Sequence, residues 1–150
     1  MKLAAIFAAV VALAAVDLAN AEPDAPSGVI TTQHVDRSGR KATGKASFYA
    51  KRFAGRKMAD GTRMNPQANN AASKSLPLGT IAKVTNLDTK QSAVVTIQDR
   101  GPYVKGRIID LSPSTAQQIG ITPHDGVAKV EVAPLSLPPV ERNASPLAQR

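Results

Sequence analysis

Between Ala93 and Ser112 two short β-branched runs flank a polar loop, and each run ends on an aspartate. Residues 94–97 and 108–111 read as strands, and the Gly101-Pro102 pair between them ends the first. Asp99 and Asp110 therefore stand at strand ends, close in sequence to Arg100, Tyr103 and Arg107. A carboxyl group at the mouth of a β-structure, among apolar walls and charged neighbours, has the surroundings from which enzymes make acids. The ordinary use of Asp at such places is to cap the turn or helix that follows, and for Asp110 the segment starting near Ser112 offers that use.

The rest of the chain reads as support for this stretch. The run from Lys45 to Phe53 suits a first strand, and residues 54–66 are rich in turn formers. Asn65-Pro66 is a plausible helix start, so residues 66–73 are expected to form a turn or two of helix before Leu76-Pro77-Leu78. Residues 80–87 alternate and should form a hairpin with the Ala93 strand. Ser112 is a good N-cap with Pro113 at the first helical position, and a short helix should run to Gly120. Residues 127–133 alternate into a last strand. Several short strands with one short helix and long loops suggest a small all-β barrel.

The chain of 150 residues has no cysteine, so a closed hydrophobic core rather than disulfides must stabilise its single domain. Residues 1–21 have a charged start, an apolar centre interrupted by Asp17 and the small-residue end Ala19-Asn20-Ala21. This is the pattern of a secretory signal peptide, too short for a transmembrane segment, and it implies export to the periplasm or cell envelope. No cysteine is present to carry a lipid anchor. Residues 22–42 read as a flexible leader, 43–134 as the barrel domain and 135–150 as a Pro-rich tail.

The net charge is +8, and nine Lys and Arg between Arg37 and Arg63 face only Asp60. In an exported protein this suits carboxylate-bearing glycans better than nucleic acid. Tyr49 and Tyr103 are the aromatics most apt for a sugar groove, whereas Phe48 and Phe53 also suit a core. With His34 and His124 the only histidines, neither a metal centre nor a Ser-His-Asp triad is expected, and no phosphate-binding loop or other cofactor motif is present.

Three stretches, GKASFYAKRFAGRKMADGTRMN, NNAASKSLPLGTIAKVTNLDTKQSAVVTIQDRGPY and GRIIDLSPSTAQQIG, carry a resemblance over roughly residues 44–134. Here the chain resembles the rare lipoprotein A family of endolytic peptidoglycan transglycosylases and, more remotely, the barrel of expansins. The resemblance implies a six-stranded double-psi β-barrel with one or two short helices. It also implies cleavage of peptidoglycan glycan strands with 1,6-anhydro product formation, without a cofactor or metal. Asp99, in the DRGP motif, becomes the acid/base residue and Asp110 a second catalytic candidate. Tyr49, Thr62, Ser73, Arg100, Tyr103 and Arg107 become candidate substrate contacts. Thr62 stands where active members usually carry Glu, and Ser73 where they carry His. Glycan strands are the expected partner of a monomer, with cell-division or other envelope proteins beside them. A non-catalytic polysaccharide-binding module of expansin type is the alternative.

Overall fold

The computed structural model describes residues 35–140. The expected signal peptide, the leader up to residue 34 and the tail after residue 140 lie outside the described residues. Six strands, β1 (Ala42–Phe48), β2 (Asn70–Ser73), β3 (Ile81–Asn86), β4 (Ser92–Asp99), β5 (Arg107–Leu111) and β6 (Ala128–Ser136), close into a barrel in the order β1-β5-β2-β4-β3-β6. The pairs β1/β5 and β2/β4 are parallel, and the other four are antiparallel. Closure leaves no free sheet edge, and the β3–β4 hairpin is the one expected from the sequence.

Alternation decides what fills the interior. Ala82, Val84 and Asn86 on β3 and Ala93, Val95 and Ile97 on β4 are buried, while Ile81 and Val94 between them are exposed. Ile109 and Leu111 complete the wall, and Ile119 and Ile121 close one end. Burying each large aliphatic side chain contributes about 1.5–3 kcal/mol, which is how a barrel without disulfides holds together. The buried Asn86 keeps its polar atoms satisfied: Nδ2 donates to the Ile119 carbonyl at 2.9 Å and Oδ1 accepts from the Asp88 N–H at 2.9 Å.

The one α-helix among the described residues, α1 (Pro113–Gln118), starts as its sequence predicts, with the Ser112 hydroxyl accepting from the Thr115 N–H at 3.2 Å. It ends in a Schellman arrangement: the Ile121 N–H reaches the Ala116 carbonyl at 2.8 Å and the Gly120 N–H the Gln117 carbonyl at 3.0 Å. Gly120 has φ +76°, and a Cβ there would also meet Thr89 Cγ2 at 2.9 Å, so both backbone and packing require glycine.

Residues 66–73 correct the expectation of a second helix. A turn capped by Asn65, whose Oδ1 accepts from the Gln67 N–H at 2.9 Å, leads into β2 instead. All four β2 residues are buried between β4 and β5. Helix propensity is worth only tenths of a kcal/mol per residue, so two neighbouring ladders and a fully buried position outweigh it. At the other end, β6 runs past Ala133 to Ser136 and pairs with Ile81. Pro134 fits in this strand because the register shifts there, between Ile81 and Ala82 on the partner.

Candidate active site

Strand register carries four residues into one row. Ser47 on β1 stands beside Asp110 on β5, Asp110 opposite Ala72 on β2, and Ala72 beside Asp99 on β4. Neighbouring strands lie about 4.8 Å apart, so the two aspartates flank a single methyl group with their backbones roughly 10 Å apart. All four residues line an open cleft of about 630 Å³.

Asp99 is held from three directions. Its Oδ1 accepts from the Ala59 N–H at 3.0 Å and its own neighbour's Arg100 N–H at 2.9 Å, and its Oδ2 accepts from the Tyr49 hydroxyl at 2.9 Å. The Arg100 guanidinium turns to main-chain carbonyls, with Nη1 at 3.1 Å from the Ser73 oxygen and 2.6 Å from the Leu76 oxygen. Arg100 thus serves Asp99 through its backbone and the β2–β3 turn through its side chain. Gly101, with φ +120°, turns the chain away directly after them, a conformation open to glycine alone.

Burial, then the charge of Asp99, the hydrogen bond to it and the charge of Asp110 push the Tyr49 phenol far above its ordinary value of 10.0. Tyr49 therefore remains a proton donor to Asp99 across the working range. In the unfolded chain this phenol ionises near pH 10 and in the fold it does not, so its stabilising contribution is complete below about pH 10 and is lost as the pH rises further. Wild type is expected to lose stability more steeply than Tyr49→Phe above about pH 10 in denaturant titrations. Parallel loss in the two proteins would contradict the buried phenol–carboxylate bond.

Asp110 does not cap the helix after it; Ser112 does. Its Oδ1 accepts from the Ser47 hydroxyl at 2.6 Å and pairs with Arg107 Nη2. The pair is largely sheltered from solvent, and Arg107 Nε is buried without a partner among the described residues. One aspartate is thus held by neutral donors beside a phenol, and the other is neutralised by a guanidinium.

Thr62 and Ser73 do not line the cleft. A narrow hairpin over residues 55–64 docks on the end of β4, with the Asp60 N–H on the Gln98 carbonyl at 3.0 Å. On it the Thr62 hydroxyl donates to Asp60 Oδ1 at 2.6 Å, and Gln98 Nε2 donates to Asp60 Oδ2 at 3.0 Å. Partial burial pushes the Asp60 carboxyl up, but hydrogen bonds from the Thr62 hydroxyl, the Thr62 N–H and the Gln98 amide outweigh it and hold the group below its ordinary value. Ser73 is buried, and its hydroxyl accepts from the Leu76 N–H at 3.1 Å to shape the turn that receives Arg100.

An aromatic wall flanks Asp99. The Tyr49 and Phe53 rings meet edge-on at 5.8 Å, and the guanidinium carbons of Arg52 and Arg56 lie 5.0 and 5.7 Å from the Phe53 centroid. Tyr103, on the loop across the cleft, is 69% exposed at the rim. Sequence reasoning passed over Ser47, Ala72 and the Ala59 N–H, and it left Phe53 open between core and groove. Strand alternation already sets Ser47 two residues from Tyr49 on one face, whereas Ala72 emerges only once β2 is inserted between β4 and β5. Among the described residues, no group of three His, Cys, Asp or Glu is placed to hold a metal ion.

The profile of the lytic transglycolase family matches residues 41–132, which takes in every strand that supplies this row. The chain belongs to that family. Its barrel is of the double-psi type. The endolytic peptidoglycan transglycosylase RlpA of Pasteurella multocida is 47% identical over 102 residues, covering 68% of this chain and 34% of that protein. A probable endolytic peptidoglycan transglycosylase RlpA of Nostoc sp. is 50% identical over 91 residues, 59% of this chain and 24% of the relative. The chain therefore spans about a third or less of these two curated relatives. Among solved structures, a Streptomyces papain inhibitor shares the fold with a TM-score of 0.52 at 20% identity, over 65% of this chain and 96% of that one. The expansin of Clavibacter michiganensis gives 0.51 at 20% identity, over 67% and 52%. No helix among the described residues is long and apolar enough to cross a membrane.

Proposed function

We propose that this domain is an endolytic peptidoglycan transglycosylase that cuts glycan strands in the cell envelope with Asp99 as its acid/base residue. The observation that carries the reading is the row itself, an aspartate on each side of Ala72 on the floor of an open cleft in a lytic transglycolase barrel. Asp99 also lines a smaller cavity of about 190 Å³ that shares Tyr49 and Phe53 with the main cleft. A strand laid across the groove is cut internally.

The chemistry needs one carboxyl group in two protonation states. Protonated Asp99 gives its proton to the glycosidic oxygen as the C1–O bond breaks and the leaving sugar departs as an alcohol. The resulting carboxylate takes the proton of the C6 hydroxyl, whose oxygen closes on C1 to form the 1,6-anhydro ring. Water is not consumed, and Asp99 returns protonated. Tyr49 stays a donor throughout and fixes the carboxyl group against the reacting oxygen. Asp110, paired with Arg107 and held by the Ser47 hydroxyl, forms the wall of the cleft on the far side of Ala72. Tyr103, at the rim, offers a face on which a sugar ring can stack.

The test is the size of the first products. Wall sacculi stripped of stem peptides should yield long soluble strands early in digestion, followed by shorter ones, whereas cutting from strand ends would release disaccharides from the start. A second reading, a non-catalytic binding module, draws on Thr62: its hydroxyl is engaged with Asp60 and Gln98 outside the cleft. Sacculi that bind the protein and release nothing would favour it.

A further inference from the structure

From the row outward, and resting on the glycan reading above, we infer that Lys45 and Lys129 form an anion subsite at the end of the groove that receives a carboxylate of the glycan strand. Lys45 on β1 and Lys129 on β6 are directly opposed cross-strand neighbours, so their side chains rise from one face. Both line a cavity of about 490 Å³ that shares Val127 with the main cleft. Gly106, next to Arg107, lines the same cavity, so the strand of residues that leads away from Asp110 leads into it.

Like charges directly opposite one another on a sheet are unfavourable. Among the described residues neither ammonium group has a carboxylate within ion-pair distance. The nearest acid along β6, Glu131, is 3.1 Å from Lys41 instead. Asp88 lines the same cavity without an ion pair to either lysine, which leaves an excess of one positive charge there. An incoming carboxylate would satisfy both lysines at once, and a neutral sugar would satisfy neither.

Peptidoglycan offers two such carboxylates: the lactyl group exposed when stem peptides are removed, and the acidic groups of the stem peptides themselves. Binding of the whole chain is to be measured by co-sedimentation with intact sacculi and with peptide-stripped sacculi, each before and after its carboxylates have been amidated. The variants are Lys45→Gln with Lys129→Gln, and a charge-matched control of Lys74→Gln with Lys83→Gln. Two screened ion pairs correspond to roughly three- to tenfold in affinity. Wild type should lose that factor on amidation, and the Lys45/Lys129 variant should lose it on unmodified material and be indifferent to amidation. The control should follow wild type. A loss on stripped sacculi assigns the subsite to the lactyl carboxylate, and a loss confined to intact sacculi assigns it to the stem peptide. Wild type that binds but ignores amidation, or a Lys45/Lys129 variant that matches the control, overturns the subsite alone. Wild type that binds none of the four materials overturns the glycan reading and the subsite with it.

Discussion

Asp99→Asn will bind peptide-stripped sacculi as wild type does and release anhydro-ended strands at least about a hundredfold more slowly, the lower end of what a positioned acid/base group supplies. The amide keeps the shape of the side chain. Its oxygen can still accept from the Ala59 and Arg100 N–H groups, so the docked hairpin and the loop at Gly101 keep their anchor. What it cannot do is deliver a proton to the leaving oxygen and later remove one from the C6 hydroxyl. Binding measured by co-sedimentation and release measured by chromatography therefore separate. If both survive in Asp99→Asn, the acid is another residue.

Asp110→Asn should instead show first as lost stability. The substitution leaves the Ser47 hydroxyl a partner but removes the charge facing Arg107, whose guanidinium is largely sheltered and has a buried Nε without a partner among the described residues. Breaking a fully buried ion pair from one side costs about 3–5 kcal/mol; this one keeps some solvent contact, so about 2 kcal/mol is expected from chemical denaturation. Adding Arg107→Met should recover much of that loss, because the stranded cation leaves with it. Strictly additive losses would mean that the pair does not couple. Release by the folded fraction of Asp110→Asn should fall less than in Asp99→Asn, since Asp110 is already neutralised by Arg107 while the proposed mechanism gives both proton transfers to Asp99. The reverse order would make Asp110 the acid.

Local chemistry made much of this barrel legible. The β3–β4 hairpin follows from alternation on each side of a short turn, and α1 from a serine N-cap, a proline and a terminal glycine. Both aspartates were visible as the ends of β-branched runs. What local chemistry cannot supply is parallel pairing. The row through Ser47, Asp110, Ala72 and Asp99 depends on β2 entering between β4 and β5, and the residues of β2, Asn-Ala-Ala-Ser, have the propensity of a turn or helix rather than of a strand. The position of Thr62 was hidden for a related reason. Its neighbours Asp60 and Gln98 are 38 residues apart in sequence and meet only because the hairpin docks on β4.

Digestion of peptide-stripped sacculi in water enriched in oxygen-18, followed by mass spectrometry of the released strands, separates attack by the C6 hydroxyl from attack by water. Wild type should release strands ending in 1,6-anhydro sugars that carry no label from the solvent, and Asp99→Asn no such strands above background. Reducing ends that carry oxygen-18 would mean that water, not the C6 hydroxyl, attacks the sugar, and would rule out the transglycosylase route.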